Sequence, residues 1–134
     1  MKELITDAKV DNLDEVLIFV DEQLEEVGCS MSNQIVIDTV IEEIFVNIAY
    51  YAYGGQAGPA TLQTEITHDM VELTFIDNGE QYDPLAKPDP DLKIPFSQRK
   101  PGGLGIFIVK KSMDEVKYEY RDGKNILYLK KSLV

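Results

Sequence analysis

Glu42-Glu43-Ile44-Phe45-Val46-Asn47-Ile48-Ala49-Tyr50-Tyr51-Ala52-Tyr53 is the stretch that decides the fold. At about 3.6 residues per turn, Ile37, Ile41, Ile44, Phe45, Ile48 and Ala52 fall on one stripe. Such a stripe is the core-facing side of an amphipathic helix. Glu43 and Asn47 are four apart, so their side chains lie together. They sit on the flank of the stripe, with Val36, Val40 and Tyr50 on the same side. A carboxylate and a carboxamide in half-apolar surroundings require polar partners. Hydrated Mg²⁺ and phosphate oxygens meet that need, because hard cations take oxygen ligands. A solvated Glu and an Asn bonded to a loop meet it as well.

Outward from this helix the chain supplies one domain's worth of material. Its 134 residues carry 44% hydrophobic and 28% charged side chains, ordinary values for a globular protein with a real core. We expect residues 1–134 to form a single domain. The formal net charge of −11 repels nucleic-acid backbones, so no direct nucleic-acid partner is expected. An anionic ligand must then be held by backbone N–H groups or a metal. No apolar stretch is long enough for a bilayer, and no basic run or leader-like segment is present. With a lone cysteine, Cys29, no internal disulfide can form, and a cytoplasmic setting without membrane contact is expected. One histidine, His68, reads as part of a hairpin turn and leaves no material for a histidine metal site or a Ser-His-Asp triad.

Upstream, residues 2–10 read as an edge strand, and Asn12 with Glu15 has the spacing of a capping box. Val16, Leu17, Phe19, Val20, Leu24 and Val27 make a first amphipathic helix that ends at Gly28. Ser32 reads as the cap of the second helix, which Gly54-Gly55 stops. Downstream, Ala60–Thr67 and Met70–Asp77 alternate around His68-Asp69, the pattern of a β-hairpin. Asp77 shares parity with Val71, Leu73 and Phe75, which turns its carboxylate toward the buried face. A charge there demands a partner. Val116–Lys130 reads as a closing hairpin around Arg121-Asp122-Gly123-Lys124.

Two further pieces carry chemistry. Asp77-Asn78-Gly79 ends a buried strand, where the carboxylate can accept from an amino group such as that of adenine and Gly79 permits close backbone approach. A plain strand-to-turn boundary fits the same residues. Gly102-Gly103-Leu104-Gly105 opens a helix, whose free N–H groups and dipole suit an anion. A hinge followed by a helix start fits those equally. Between the two lies a segment, about 80–102, with Pro84, Pro88, Pro90, Pro95 and Pro101, acidic in its first half and basic at Arg99-Lys100. A segment of that length is a functional lid or disordered, and of Arg99 and Lys100 the one favoured to meet a γ-phosphate is Arg99, because its planar fork matches one.

The order of these pieces resembles the ATP-binding domain of the GHKL superfamily of gyrase, heat-shock chaperone, histidine kinase and MutL. Glu43 and Asn47 match its N box, Asp77-Asn78-Gly79 its first glycine box and Gly103-Leu104-Gly105 its second. Within that superfamily the chain is similar to the anti-sigma factor serine/threonine kinases of the RsbW type, through Asp77-Asn78-Gly79 running into Tyr82-Asp83-Pro84, the Gly-Gly-Leu-Gly-Ile run and the small size. The resemblance covers nearly the whole chain. It implies an α/β (α+β) two-layer sandwich, a mixed and mostly antiparallel sheet with helices on one face. It also implies that Asn47 binds Mg²⁺, that Asp77 holds the adenine amino group, and that Gly79, Gly103, Leu104 and Gly105 belong to the ATP site. Glu43 is implied as the base beside an incoming serine hydroxyl. The implied partners are a STAS-type anti-anti-sigma protein as substrate and a sigma factor, with the kinase as a homodimer. Two positions depart from the pattern: Tyr51 stands where many relatives carry histidine, and Gln81 where the wider superfamily carries glycine.

Two functions of different class follow. One is ATP-dependent serine/threonine kinase activity on a partner, which needs positioning and charge stabilisation more than covalent chemistry. The alternative is a nucleotide-gated module that binds and sequesters a partner with little or no transfer.

Overall fold

The computed structural model describes residues 1–86 and 103–134. In chain order the elements are β1 (Lys2–Asp7), α1 (Leu13–Glu26), α2 (Met31–Tyr51), β2 (Pro59–Ile66), β3 (Met70–Asp77), α3 (Gly103–Ser112), β4 (Glu115–Arg121) and β5 (Lys124–Ser132). Short 3₁₀ turns lie at Val10–Asn12 and Pro84–Ala86. The strands form one five-stranded sheet in the order β1-β2-β3-β5-β4. Every pairing among the described residues is antiparallel, so no parallel pair makes the sheet mixed.

The register follows from alternation. Leu4, Leu62, Phe75, Leu127 and Tyr118 stand opposite one another across the five strands, on the face toward the helices. There they meet Val16, Val20 and Leu24 of α1, Ile37, Ile41, Ile44 and Phe45 of α2, and Ile106 and Val109 of α3. Each fully buried side chain of this kind contributes about 1.5–3 kcal/mol relative to leaving it in water. The next row out, Ile5, Thr61, Ile76, Ile126 and Glu119, lines the opposite face, where Ile5 is exposed. A polar pair interrupts the core under α1: Thr64 Oγ1 donates to Gln23 Oε1 at 2.8 Å, while Gln23 Nε2 donates to Phe19 O at 3.0 Å. Both side chains are thereby satisfied, as burial requires.

Several local expectations change. Ser30, rather than Ser32, caps α2: it is extended, and its Oγ accepts from Asn33 N at 3.2 Å. Asn12 forms no side-chain cap on α1, because the 3₁₀ turn in front of it aims Nδ2 at Asp7 O, 3.0 Å away. Val40, read on the flank of α2, lies wholly inside as part of the core. The second helix, expected to run to about Tyr53, ends at Tyr51 with Ala52 as its C-cap, and Gly54 and Gly55 turn the chain just beyond it at positive φ, where glycine is unstrained.

Between α1 and α2 the side chains of Asp21 and Asp38 are hydrogen-bonded to each other. The Oδ1 atom of each is buried with no hydrogen-bond partner among the described residues. Burial first, then the Asp21 hydrogen bond and charge, pushes the Asp38 carboxyl up to about 7. The nearby Cys29 thiol is raised by burial and by the charge of Asp38.

Candidate active site

The sheet and α2 converge on a cleft at the C-terminal end of β3. It encloses about 480 Å³ of non-atom space, part of it open to solvent. Ile44, Ile48, Phe75 and Leu127 make apolar walls, and Asn47, Asp77 and Asn125 supply the polar groups. The structure thus brings together Asn47 and Asp77, thirty residues apart in the chain. Tyr51, one turn beyond Asn47, also lines the cleft and stacks on Tyr82, ring centroids 6.1 Å apart and planes 30° from parallel. Tyr50, three residues beyond Asn47 on α2, is exposed and borders a separate depression with Lys9, Val10 and Gln56.

Asp77 is buried as its strand parity requires, only 7% exposed. Its Oδ1 accepts from Gly79 N and from Asn125 Nδ2, each at 2.9 Å. No hydrogen bond reaches Oδ2 from the described residues. A carboxylate that lines an apolar-walled cleft with one oxygen open to it is matched by a ligand N–H donor. Gly79 has a packing reason as well: a Cβ there would collide with the Ala52 carbonyl at the end of α2. The same carbonyl accepts from Glu80 N at 2.9 Å. Tyr53 ties the cleft's rim, donating to Pro59 O at 2.5 Å and accepting from Asn78 N at 2.8 Å.

Glu43 sits elsewhere on α2. Its carboxylate fills the space in front of Gly105, so closely that a Cβ at Gly105 would overlap Glu43 Oε2. It therefore stands at the first turn of α3, which begins at Gly103 with Leu104 and Gly105. An α-helix leaves its first N–H groups without intrahelical partners. Glu43 and Asn47 span one turn of α2, so the α3 N-terminus and the cleft adjoin. Arg99 and residues 87–102 of the expected lid lie outside the described residues.

Asn125 is the site residue that sequence reasoning missed. It is 7% exposed and stands opposite Asp77 in the β3–β5 register. Its parity with Leu127 and Leu129 was the available signal, hidden by its place beside a turn.

A family model described as a histidine kinase-like ATPase domain matches residues 6–131. The chain belongs to that family. Among characterised relatives, it is 33% identical over 89 residues to the serine/threonine-protein kinase BtrW of Bordetella bronchiseptica, covering 66% of this chain and 63% of that one. It is 28% identical over 94 residues to the serine-protein kinase RsbW of Bacillus cereus, covering 67% and 59%. The matches thus span less than two thirds of those relatives' length. Among solved structures, the RsbU and RsbW domains of a Mycobacterium tuberculosis protein superpose with a TM-score of 0.67 at 17% identity, over 99% of this chain and 33% of that one. The catalytic domain of histidine kinase ThkA superposes with a TM-score of 0.54 at 16% identity, over 97% and 98%. These superpositions show the shared fold. In its chemistry the cleft suits a flat ligand that carries a hydrogen-bond donor. It has flat apolar walls, stacked tyrosines, an inward carboxylate and an adjoining helix start.

Proposed function

We propose that this histidine kinase-like ATPase domain, residues 1–134, is an ATP-dependent protein serine/threonine kinase. Its substrate is a STAS-type anti-anti-sigma protein, and its switch controls a sigma factor. The carrying observation is the cleft that gathers Asn47 and Asp77 while Glu43 faces the N-terminus of α3. The relatives' names as serine-protein kinases support the same reading. A homodimer in the cytoplasm, acting without nucleic acid or membrane, completes it. The described residues hold no helix long and apolar enough to cross a membrane.

In this reading the adenine lies between Ile44, Ile48, Phe75 and Leu127, with its amino group on Asp77. The N–H groups at Gly103, Leu104 and Gly105 receive the phosphates, and Arg99 adds a contact to the γ-phosphate. The donor set fits Mg²⁺, because that ion keeps several waters and uses one or two protein oxygens plus substrate phosphates. Asn47 supplies such an oxygen. Bound there, Mg²⁺ would neutralise charge on the phosphate oxygens. Glu43 accepts the proton of the incoming serine hydroxyl. The serine oxygen bonds to the γ-phosphorus as the bond to the β–γ bridging oxygen breaks, and ADP leaves.

The test is phosphate transfer from γ-labelled ATP to the partner, measured alongside ATP affinity. Glu43→Ala should lower transfer ~10²–10⁴-fold and leave affinity within a few-fold. Asn47→Ala should lose Mg²⁺-dependent nucleotide binding itself. Full transfer by the Glu43 variant would reject its role as base. ATP binding with no transfer by the wild-type protein would favour the nucleotide-gated binding module.

A further inference from the structure

Asp77 can select a base only if its free oxygen is held in one place. An aspartate has a broad terminal torsion, so something must fix the carboxylate plane. Gly79 N holds Oδ1 from the turn. The second hold is the Asn125 amide. Its direction is set by a complete set of partners. Oδ1 accepts from Tyr82 N at 3.1 Å and from Tyr118 Oη at 2.5 Å. Nδ2 donates to Asp77 Oδ1 at 2.9 Å and to Glu80 O at 2.8 Å. Two donors and two acceptor sites are the whole capacity of the amide. Flipping it would set N–H against N–H at Tyr82 and oxygen against oxygen at Asp77 and Glu80, three contacts that together define the orientation, while the Tyr118 hydroxyl could serve either way.

We infer that Asn125 is the positioning residue that sets selectivity for a 6-aminopurine, holding Asp77 so that Oδ2 faces the cleft as an acceptor. The inference rests on the reading of the cleft as a nucleotide site. Asn125 touches the carboxylate rather than the base, and acts through it. A purine with hydrogen or a carbonyl at position 6 offers Oδ2 no donor and leaves it buried and unpaired. The same amide binds Glu80 O and Tyr82 N, so the anchor for the base and the segment leaving β3 share one support.

Removing a ligand group separates positioning from general stability. Calorimetric titration compares ATP with purine riboside 5′-triphosphate, which lacks the 6-amino group, on the full chain. The wild-type protein should prefer ATP roughly ten- to hundredfold, the range for one hydrogen bond to a charged group. In Asn125→Ala that ratio should fall to within about threefold, mainly through weaker ATP binding, with the affinity for the 6-desamino analogue little changed. A merely structural role would weaken both ligands together and preserve the ratio. Tyr118→Phe removes one of the two bonds on Oδ1 and should lower the ratio several-fold; it carries the test if the alanine variant does not fold. An unchanged ratio in a folded variant overturns the inference alone; a wild-type protein that binds both ligands equally overturns it together with the contact of Asp77 to the amino group, and leaves the nucleotide site standing. A wild-type protein that binds neither overturns the nucleotide reading along with it.

Discussion

Gly105→Ala separates the placement of Glu43 from its presence. A methyl at Gly105 overlaps Glu43 Oε2 and lies 2.9 Å from its Cδ. Carbon contacts are favourable only near 3.5–4.0 Å, so the carboxylate must withdraw by roughly 1 Å. The backbone of α3 need not move, because the obstacle is the end of a flexible side chain. Withdrawal costs about 0.5–1.5 kcal/mol if it forces a poor rotamer. Alanine returns up to about 1 kcal/mol of helix propensity. Stability should therefore change by less than about 1 kcal/mol, or a few degrees in Tm. The Gly105 N–H survives, so ATP affinity should stay within a few-fold. Transfer is another matter: a reacting group misplaced by about 1 Å costs on the order of 10²-fold, about 2.7 kcal/mol in the barrier. The assay is single-turnover incorporation of labelled phosphate into the partner at saturating Mg·ATP, with melting measured in parallel. A folded variant that transfers within threefold of wild type would refute the placement of Glu43 at the reacting phosphate.

Asp77→Asn should weaken ATP binding roughly ten- to hundredfold, the value of one charged hydrogen bond. The fold should survive, since an asparagine oxygen can still accept from Asn125 and Gly79; calorimetry showing unchanged affinity would remove the adenine role. Stability should also depend on pH through Asp38, whose carboxyl is raised to about 7 when folded. A raised acid is protonated in the folded chain while already ionised in the unfolded one, so its contribution is intact near pH 4 and lost as pH rises toward 7. Tm should therefore fall between pH 5 and pH 8, and the fall should shrink in Asp38→Asn; equal slopes in both proteins would exclude the Asp21–Asp38 pair as the cause.

Much of this was legible in the sequence because it depends on period alone. Alternation placed Asp77 inward, and the 3.6-residue stripe placed Ile37, Ile41, Ile44 and Phe45 in the core. What failed depends on which of several adequate groups wins. Ser30 and Ser32 are both good caps, and the choice lies in backbone dihedrals. Asn12 had a closer acceptor in Asp7 O. Tyr50 and Tyr51 both lie about one turn beyond Asn47, and it is Tyr51 that lines the cleft. The pairing of β3 with β5, across the whole of α3 and β4, is a non-local choice that no local pattern states. Asn125 follows from that choice, because its partner Asp77 is forty-eight residues away.

The face-to-face placement of Asp77 and Asn125 also bears on assembly of the sheet. Sliding β5 by one residue along β3 would turn Asn125 to solvent and bring Lys124 or Ile126 to the inner face in its stead. Asp77 would then be enclosed without its amide, and the backbone groups of Glu80 and Tyr82 would lose theirs. Each abandoned buried group costs about 1–3 kcal/mol, on top of every apolar side chain that a one-residue slip inverts. The pair thus serves as a key for strand alignment: a chain that closes its last hairpin in the wrong frame is penalised at the base-binding end of the sheet. Natural variation at position 125 should accordingly be constrained even in relatives that have lost catalysis.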